Sequence, residues 1–133
     1  MRRGRIASAS ALILGVSINA GAYAAEAASA AEQALRELAV ADGVRLSRAS
    51  WCGYEGETLE RLVARLRVLT QARAHEAGIR VDEQRYDEGV YAGMEQAMLE
   101  LLKLPAEQIA DEQSYRARHC AEVRVEIDAL LRP

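Results

Sequence analysis

Residues 55–79, EGETLERLVARLRVLTQARAHEAGI, hold the pattern that decides the fold. Leu59, Leu62, Val63, Leu66, Leu69 and Ala72 recur every three or four residues, the interval that stacks side chains on one face of an α-helix. Arg61, Arg65 and Arg73 fall largely elsewhere. The charges also suit the helix dipole, with Glu55, Glu57 and Glu60 at the start and Arg67, Arg73 and His75 toward the end. Gly78 followed by Ile79 closes the stretch. Glycine takes the left-handed conformation of a helix stop without steric cost, and the hydrophobe after it packs back on the last turn. A helix over residues 57–77 follows.

Toward the C-terminus, Asp82 is a candidate N-cap for a helix over 83–103 that would bury Tyr86, Val90, Met94, Ala97, Leu101 and Leu102. Within it Gly89, Gly93 and Ala97 fall at i, i+4 and i+8. Each helix-interior glycine costs about 1 kcal/mol relative to alanine, so this stripe marks a close approach to that backbone. The neighbour is either another helix of the same chain or a dimer or partner contact. Leu104-Pro105 ends the helix, and Asp111 can cap a last one over 112–131 with Cys120, Val123, Ile127 and Leu130 as its apolar stripe. Toward the N-terminus, Ser29 and Glu32 have the spacing of a capping box. They open a helix over 29–51 with Leu35, Leu38, Ala39 and Leu46 on its face, and Asp42-Gly43 interrupts that stripe as a kink or break. No strand-like alternation occurs. Short connections favour antiparallel neighbours, so the fold expected is an all-α, compact, antiparallel four-helix bundle forming a single domain over residues 25–133.

The residues before that domain read as a secretory signal peptide spanning 1–24. Arg2, Arg3 and Arg5 precede the apolar run from Ala11 to Ile18, which is too short to span a bilayer, and Ala22-Tyr23-Ala24 supplies the small residues of a cleavage site after Ala24. The adjacent Arg2 and Arg3 leave general and twin-arginine export both open, the first favoured. Losing those arginines takes the 17 basic residues of the chain to 14 against 20 acidic ones, a net charge of about −6. Nucleic acids and anionic lipids both require a clustered basic face, which is missing. The expectation is an exported, periplasmic or secreted protein that neither spans a membrane nor binds nucleic acid.

Trp51-Cys52-Gly53 matches the start of the active-site loop of thioredoxin-like oxidoreductases. Dithiol chemistry needs a second cysteine three residues on, where this chain has Glu55, and the flanks read as helix rather than as a βαβ unit. In an oxidising compartment the two cysteines, Cys52 and Cys120, are better read as a disulfide closing a loop of about 69 residues, which would stabilise by roughly 4 kcal/mol on the chain-entropy model. A zinc site from these cysteines with His75 and His119 fails on spacing, because His119 and Cys120 diverge by about 100° on a helix. The acidic pairs, among them Glu55/Glu57 and Asp82/Glu83, sit mostly at helix starts, where negative charge is favoured without any catalytic role. No cofactor, metal or catalytic residue is expected, and the chain is not read as an enzyme.

Trp51 and Tyr54 flank Cys52, where they either cover the disulfide or anchor a partner. Tyr91 is five residues from Tyr86 and cannot share its face, which makes it a candidate for a groove or interface. In size, export signal, helix content and single disulfide, the chain is similar to small exported helical bacterial proteins that include acid-stress chaperones and immunity proteins against cell-wall amidase toxins. That likeness is one of general design and transfers no functional residue. The function expected is a protein-interaction module acting through an acidic surface on another exported protein, with Trp51, Tyr54 and Tyr91 as binding candidates and a homodimer open. The rival is a carrier or sensor holding a small apolar ligand in the bundle core.

Overall fold

The computed structural model describes residues 14–104 and 112–133. Four helices account for nearly all of them: α1 Leu14–Trp51, α2 Gly56–Glu76, α3 Glu83–Leu102 and α4 Glu112–Leu131. The basic start of the chain, Pro105 and the expected cap Asp111 lie outside the described residues.

Two sequence signals at helix ends have direct structural counterparts. Gly78 has φ 71°, its N–H donates to the His75 carbonyl, and the Ile79 N–H reaches back to the Ala74 carbonyl at 2.7 Å, so the orphan carbonyls at the end of α2 are satisfied. The Asp82 side chain accepts from the Arg85 N–H at 3.1 Å and caps α3.

Helix α1 departs from expectation at both of its marked points. It runs from Leu14 rather than from Ser29, which lies inside a regular helix and is not its N-cap. The alanine-rich run between residues 22 and 31 explains this, since alanine propagates a helix better than any other residue. Residues 21–30 are exposed throughout, so the core does not involve them. Helix α1 also passes through Asp42-Gly43 without a break, and both residues are buried.

The helices alternate in direction. Arg45 pairs with Glu126 and Cys52 with Cys120, so α1 and α4 run antiparallel; Arg67 meets Asp87 while Gln71 meets Glu83, so α2 and α3 do too. The most extensive packing is nevertheless between α1 and α3, which are parallel: Glu32 pairs with Arg85, Gly89 meets Ala39, and the Ser47 hydroxyl donates to the Met94 carbonyl. Helix α1 is the central pillar, with α3 on one side and α2 and α4 on the other. A Cβ added to Gly93 would stand 2.0 Å from the Val40 carbonyl oxygen, one on Gly43 equally close to that of Val90, and one on Gly89 2.5 Å from the Ala39 Cβ. The glycines are what let α1 and α3 approach backbone to backbone.

The main apolar core joins Leu46 and Ala49 of α1, Cys52 just past its end, Leu62 and Leu66 of α2, and Cys120, Val123 and Ile127 of α4. Helix α2 therefore turns Leu62, Leu66, Thr70 and Ala74 inward, while Val63 and Ala72, expected on its buried face, are exposed. A three-helix seam admits only a narrow stripe.

Candidate functional site

Gly89, Gly93 and Ala97 fill the inner face of α3 with residues almost without side chains, and this decides where its large side chains go. Viewed down a helix at 100° per residue, Tyr91, Met98 and Leu102 lie nearly opposite that stripe. They point to solvent, 72%, 60% and 76% exposed respectively, with Met94 and Leu99 beside them also exposed. Met94 and Leu102 were expected in the core. They are not there because α3 is held to α1 by its glycine face, so the bulky face has no neighbour among the described residues.

Beside this face, α2 and α3 splay apart over α1. They meet only through side chains at one end, where Arg67 reaches Asp87 at 2.8 Å and also pairs with Glu83. Burial works against the Arg67 charge, but the Asp87 hydrogen bond and the two nearby carboxylates hold its pKa above the ordinary arginine value. The opening between the helices is a trough of about 410 Å³, lined by Leu46, Leu59, Val63, Val90, Tyr91 and Met94. It is half open to solvent, and Tyr91 and Met94 belong both to its wall and to the exposed outer face of α3, which joins the two surfaces.

Beneath that surface lies a buried carboxylate, Asp42. Its carboxylate accepts from the Thr70 hydroxyl at 2.5 Å and the Tyr86 hydroxyl at 2.8 Å, and Arg45 stands 3.4 Å away. All three helices next to the trough thus contribute to one node, α1 through Asp42, α2 through Thr70 and α3 through Tyr86. Burial and this hydrogen bond push the Tyr86 phenol well above the ordinary tyrosine value, and the Arg67 guanidinium stands 5.0 Å over its ring.

The residues singled out from the sequence do not form one patch. Trp51 is half-buried, its ring edge-on to Tyr115 at 5.9 Å and to His119 at 5.4 Å, with the Arg116 guanidinium 5.2 Å from its face. Tyr54 is half-buried and donates to Asp128 at 2.7 Å; burial, together with that carboxylate, pushes its pKa up to about 12. Both pack against the core cluster that holds Cys52 and Cys120, whose sulfur atoms are bonded at 2.13 Å. Tyr91 belongs instead to the trough, away from the cavity that Trp51 shares with Tyr115 and His119. Gly89, Gly93 and Ala97 are buried against α1.

Among the described residues no cluster of three His, Cys, Asp or Glu side chains is arranged to hold a metal ion, and no helix is long and apolar enough to cross a membrane. No protein-family model, curated protein or solved structure matches the chain.

Proposed function

We infer that the protein is an interaction module that binds another protein through the outer face of α3. One observation carries this reading: Tyr91, Met94, Met98 and Leu102 lie exposed at helical spacing over three turns, on a helix whose opposite face is already committed to α1. Isolated exposed hydrophobes are ordinary, but a contiguous apolar face continuous with a trough is the form that protein–protein sites take. Tyrosine suits such a site, because it gives a large contact area for little lost rotamer freedom. Trp51 and Tyr54 are not part of this surface; their rings are engaged within the chain and support the disulfide corner.

The carrier reading has the same trough to draw on, with a volume in the range of small-molecule sites. Such sites bury most of the ligand, whereas this trough is half open to solvent, which favours a partner's side chains as its contents. Export to the periplasm is part of the proposed function, supported by the basic and apolar start of the chain and by the intramolecular disulfide. The test compares the tagged full chain with a Met98→Asp, Leu102→Asp variant, both recovered from the cell envelope of the native host. The expected result is one stoichiometric partner with the parent and none with the variant, at equal helix content by circular dichroism. An identical set of proteins from both would overturn the assignment.

A further inference from the structure

We propose that the partner presents a basic amphipathic helix, laid along α3 with its apolar side on Tyr91, Met94, Met98 and Leu102. This rests on the outer face of α3 being the binding surface and adds the chemistry of what binds there.

The argument begins with charge. After Arg85, every ionisable acid or base on α3 is acidic: Asp87, Glu88, Glu95 and Glu100, with no Lys or Arg until Lys103 beyond the helix end. Asp87 is committed to Arg67 at the closed end of the trough. Glu88 and Glu95 are exposed along the apolar face; Glu88 accepts from the Gln84 side chain at 3.1 Å and lies in the field of Arg85, and neither carboxylate takes part in an ion pair among the described residues. An apolar strip edged by exposed carboxylates that no cation among the described residues neutralises in an ion pair selects lysine and arginine on the rim of its partner, and the whole chain, net −3 before any processing, steers a basic partner in the same sense.

Shape supplies the second part. Tyr91 to Leu102 spans about 16 Å at 1.5 Å per residue, and the 91, 94, 98 and 102 spacing presents knobs every three or four residues. A second helix with apolar residues at the same interval interdigitates with such a row. Two of the contact residues are methionines, whose unbranched, polarisable side chains adapt to varied apolar partners. A second copy of this chain is the poorer occupant. Packing α3 on its own mate, parallel or antiparallel about the centre of the strip, brings Glu95 within about one turn of its counterpart, and like charges opposed at a helix interface select against that pairing.

The experiment uses the purified full chain and two labelled synthetic helices of about five turns, both with leucine at the apolar positions. One carries lysine on its remaining face and the other glutamate; binding is followed by fluorescence anisotropy at low and at 0.5 M salt. The lysine helix is expected to bind at least about tenfold more tightly than the glutamate helix, to weaken with salt, and to weaken again by at least about tenfold on Met98→Asp. An E88Q, E95Q variant, which keeps the apolar strip, should lose several-fold for the lysine helix alone. Equal binding of both helices, abolished by Met98→Asp, overturns the charge assignment and leaves the face intact as a binding surface. Lysine-helix binding untouched by Met98→Asp overturns the proposal as non-specific attraction. A dimer in sedimentation that Met98→Asp dissociates overturns it in favour of a second copy. Failure to bind either helix, while the native partner is still recovered in a Met98-dependent way, overturns the helix chemistry without touching the binding face.

Discussion

Asp42 and Gly43 are the pair in which sequence and structure part most clearly. Aspartate followed by glycine in a helical stripe has the composition of a turn, and nothing local distinguishes a break from a helix that needs both residues for tertiary reasons. Each has a non-local purpose here. Gly43 gives up its side chain so that α3 can sit against α1, and Asp42 receives hydroxyls from helices 28 and 44 residues further along. Removing the carboxylate would leave the Thr70 and Tyr86 hydroxyls buried without that acceptor. Asp42→Ala is therefore expected to destabilise by about 2–6 kcal/mol, from a desolvation penalty of roughly 1–3 kcal/mol for each of the two orphaned hydroxyls, measured as a lower urea midpoint at unchanged m-value. An Asp42→Ala protein as stable as the parent would mean that the node contributes nothing. The glycines make the complementary case. Gly93→Ala in a solvated helix would stabilise by up to about 1 kcal/mol; here the new methyl meets the Val40 carbonyl, and the expected outcome is a loss of about 2 kcal/mol or more. Equilibrium unfolding gives the sign, and the sign alone decides.

At the scale of the element, the helices of the folded domain were legible from periodicity and end signals, α2 through its stripe and Gly78, α3 through Asp82. What periodicity could not settle was which face of α3 is inside, because α3 has two apolar faces. One is small (Gly89, Gly93, Ala97) and one is large (Tyr91, Met98, Leu102), and hydrophobicity scales favour the large one. The usable signal was the cost of two glycines on one stripe, which requires a backbone to be pressed there; given that, the opposite face cannot also be buried in a domain this small. The same reasoning yields a test that needs no partner. Met98→Asp and Leu102→Asp should each change stability by no more than about 0.5 kcal/mol, as surface substitutions do, whereas Leu66→Ala on α2 should cost about 2–5 kcal/mol as a buried truncation. Parallel thermal melts compare them, and a large loss at Met98 would place that side chain in the core.

For the whole molecule, the pairing of Cys52 with Cys120 was readable from the expected compartment and the count of two cysteines, but the consequence of its position was not. The bridge fastens α4 to α1 across a separation of 68 residues, at the corner where Trp51 packs on Tyr115 and His119 and where Tyr54 donates to Asp128. Replacing both cysteines with serine is expected to lower stability by roughly 2–4 kcal/mol, read as a fall in the urea midpoint against the oxidised parent. The tyrosines then make the fold sensitive to base in a defined direction. An unfolded tyrosine ionises near 10, while burial and an adjacent carboxylate hold Tyr54 protonated to about 12 and Tyr86 higher still. Between those values the folded state keeps protons that the unfolded state has released, so stability is unaffected below pH 10 and falls as pH rises beyond it. The expected signature is a melting temperature that declines steadily above pH 10, more shallowly once Tyr54→Phe and Tyr86→Phe are combined. Tyr86→Phe leaves Asp42 with Thr70 and Arg45, so the double variant begins from a lower stability at neutral pH, and the comparison is of slopes rather than of midpoints. Equal slopes in parent and variant would show that neither phenol is held by its carboxylate.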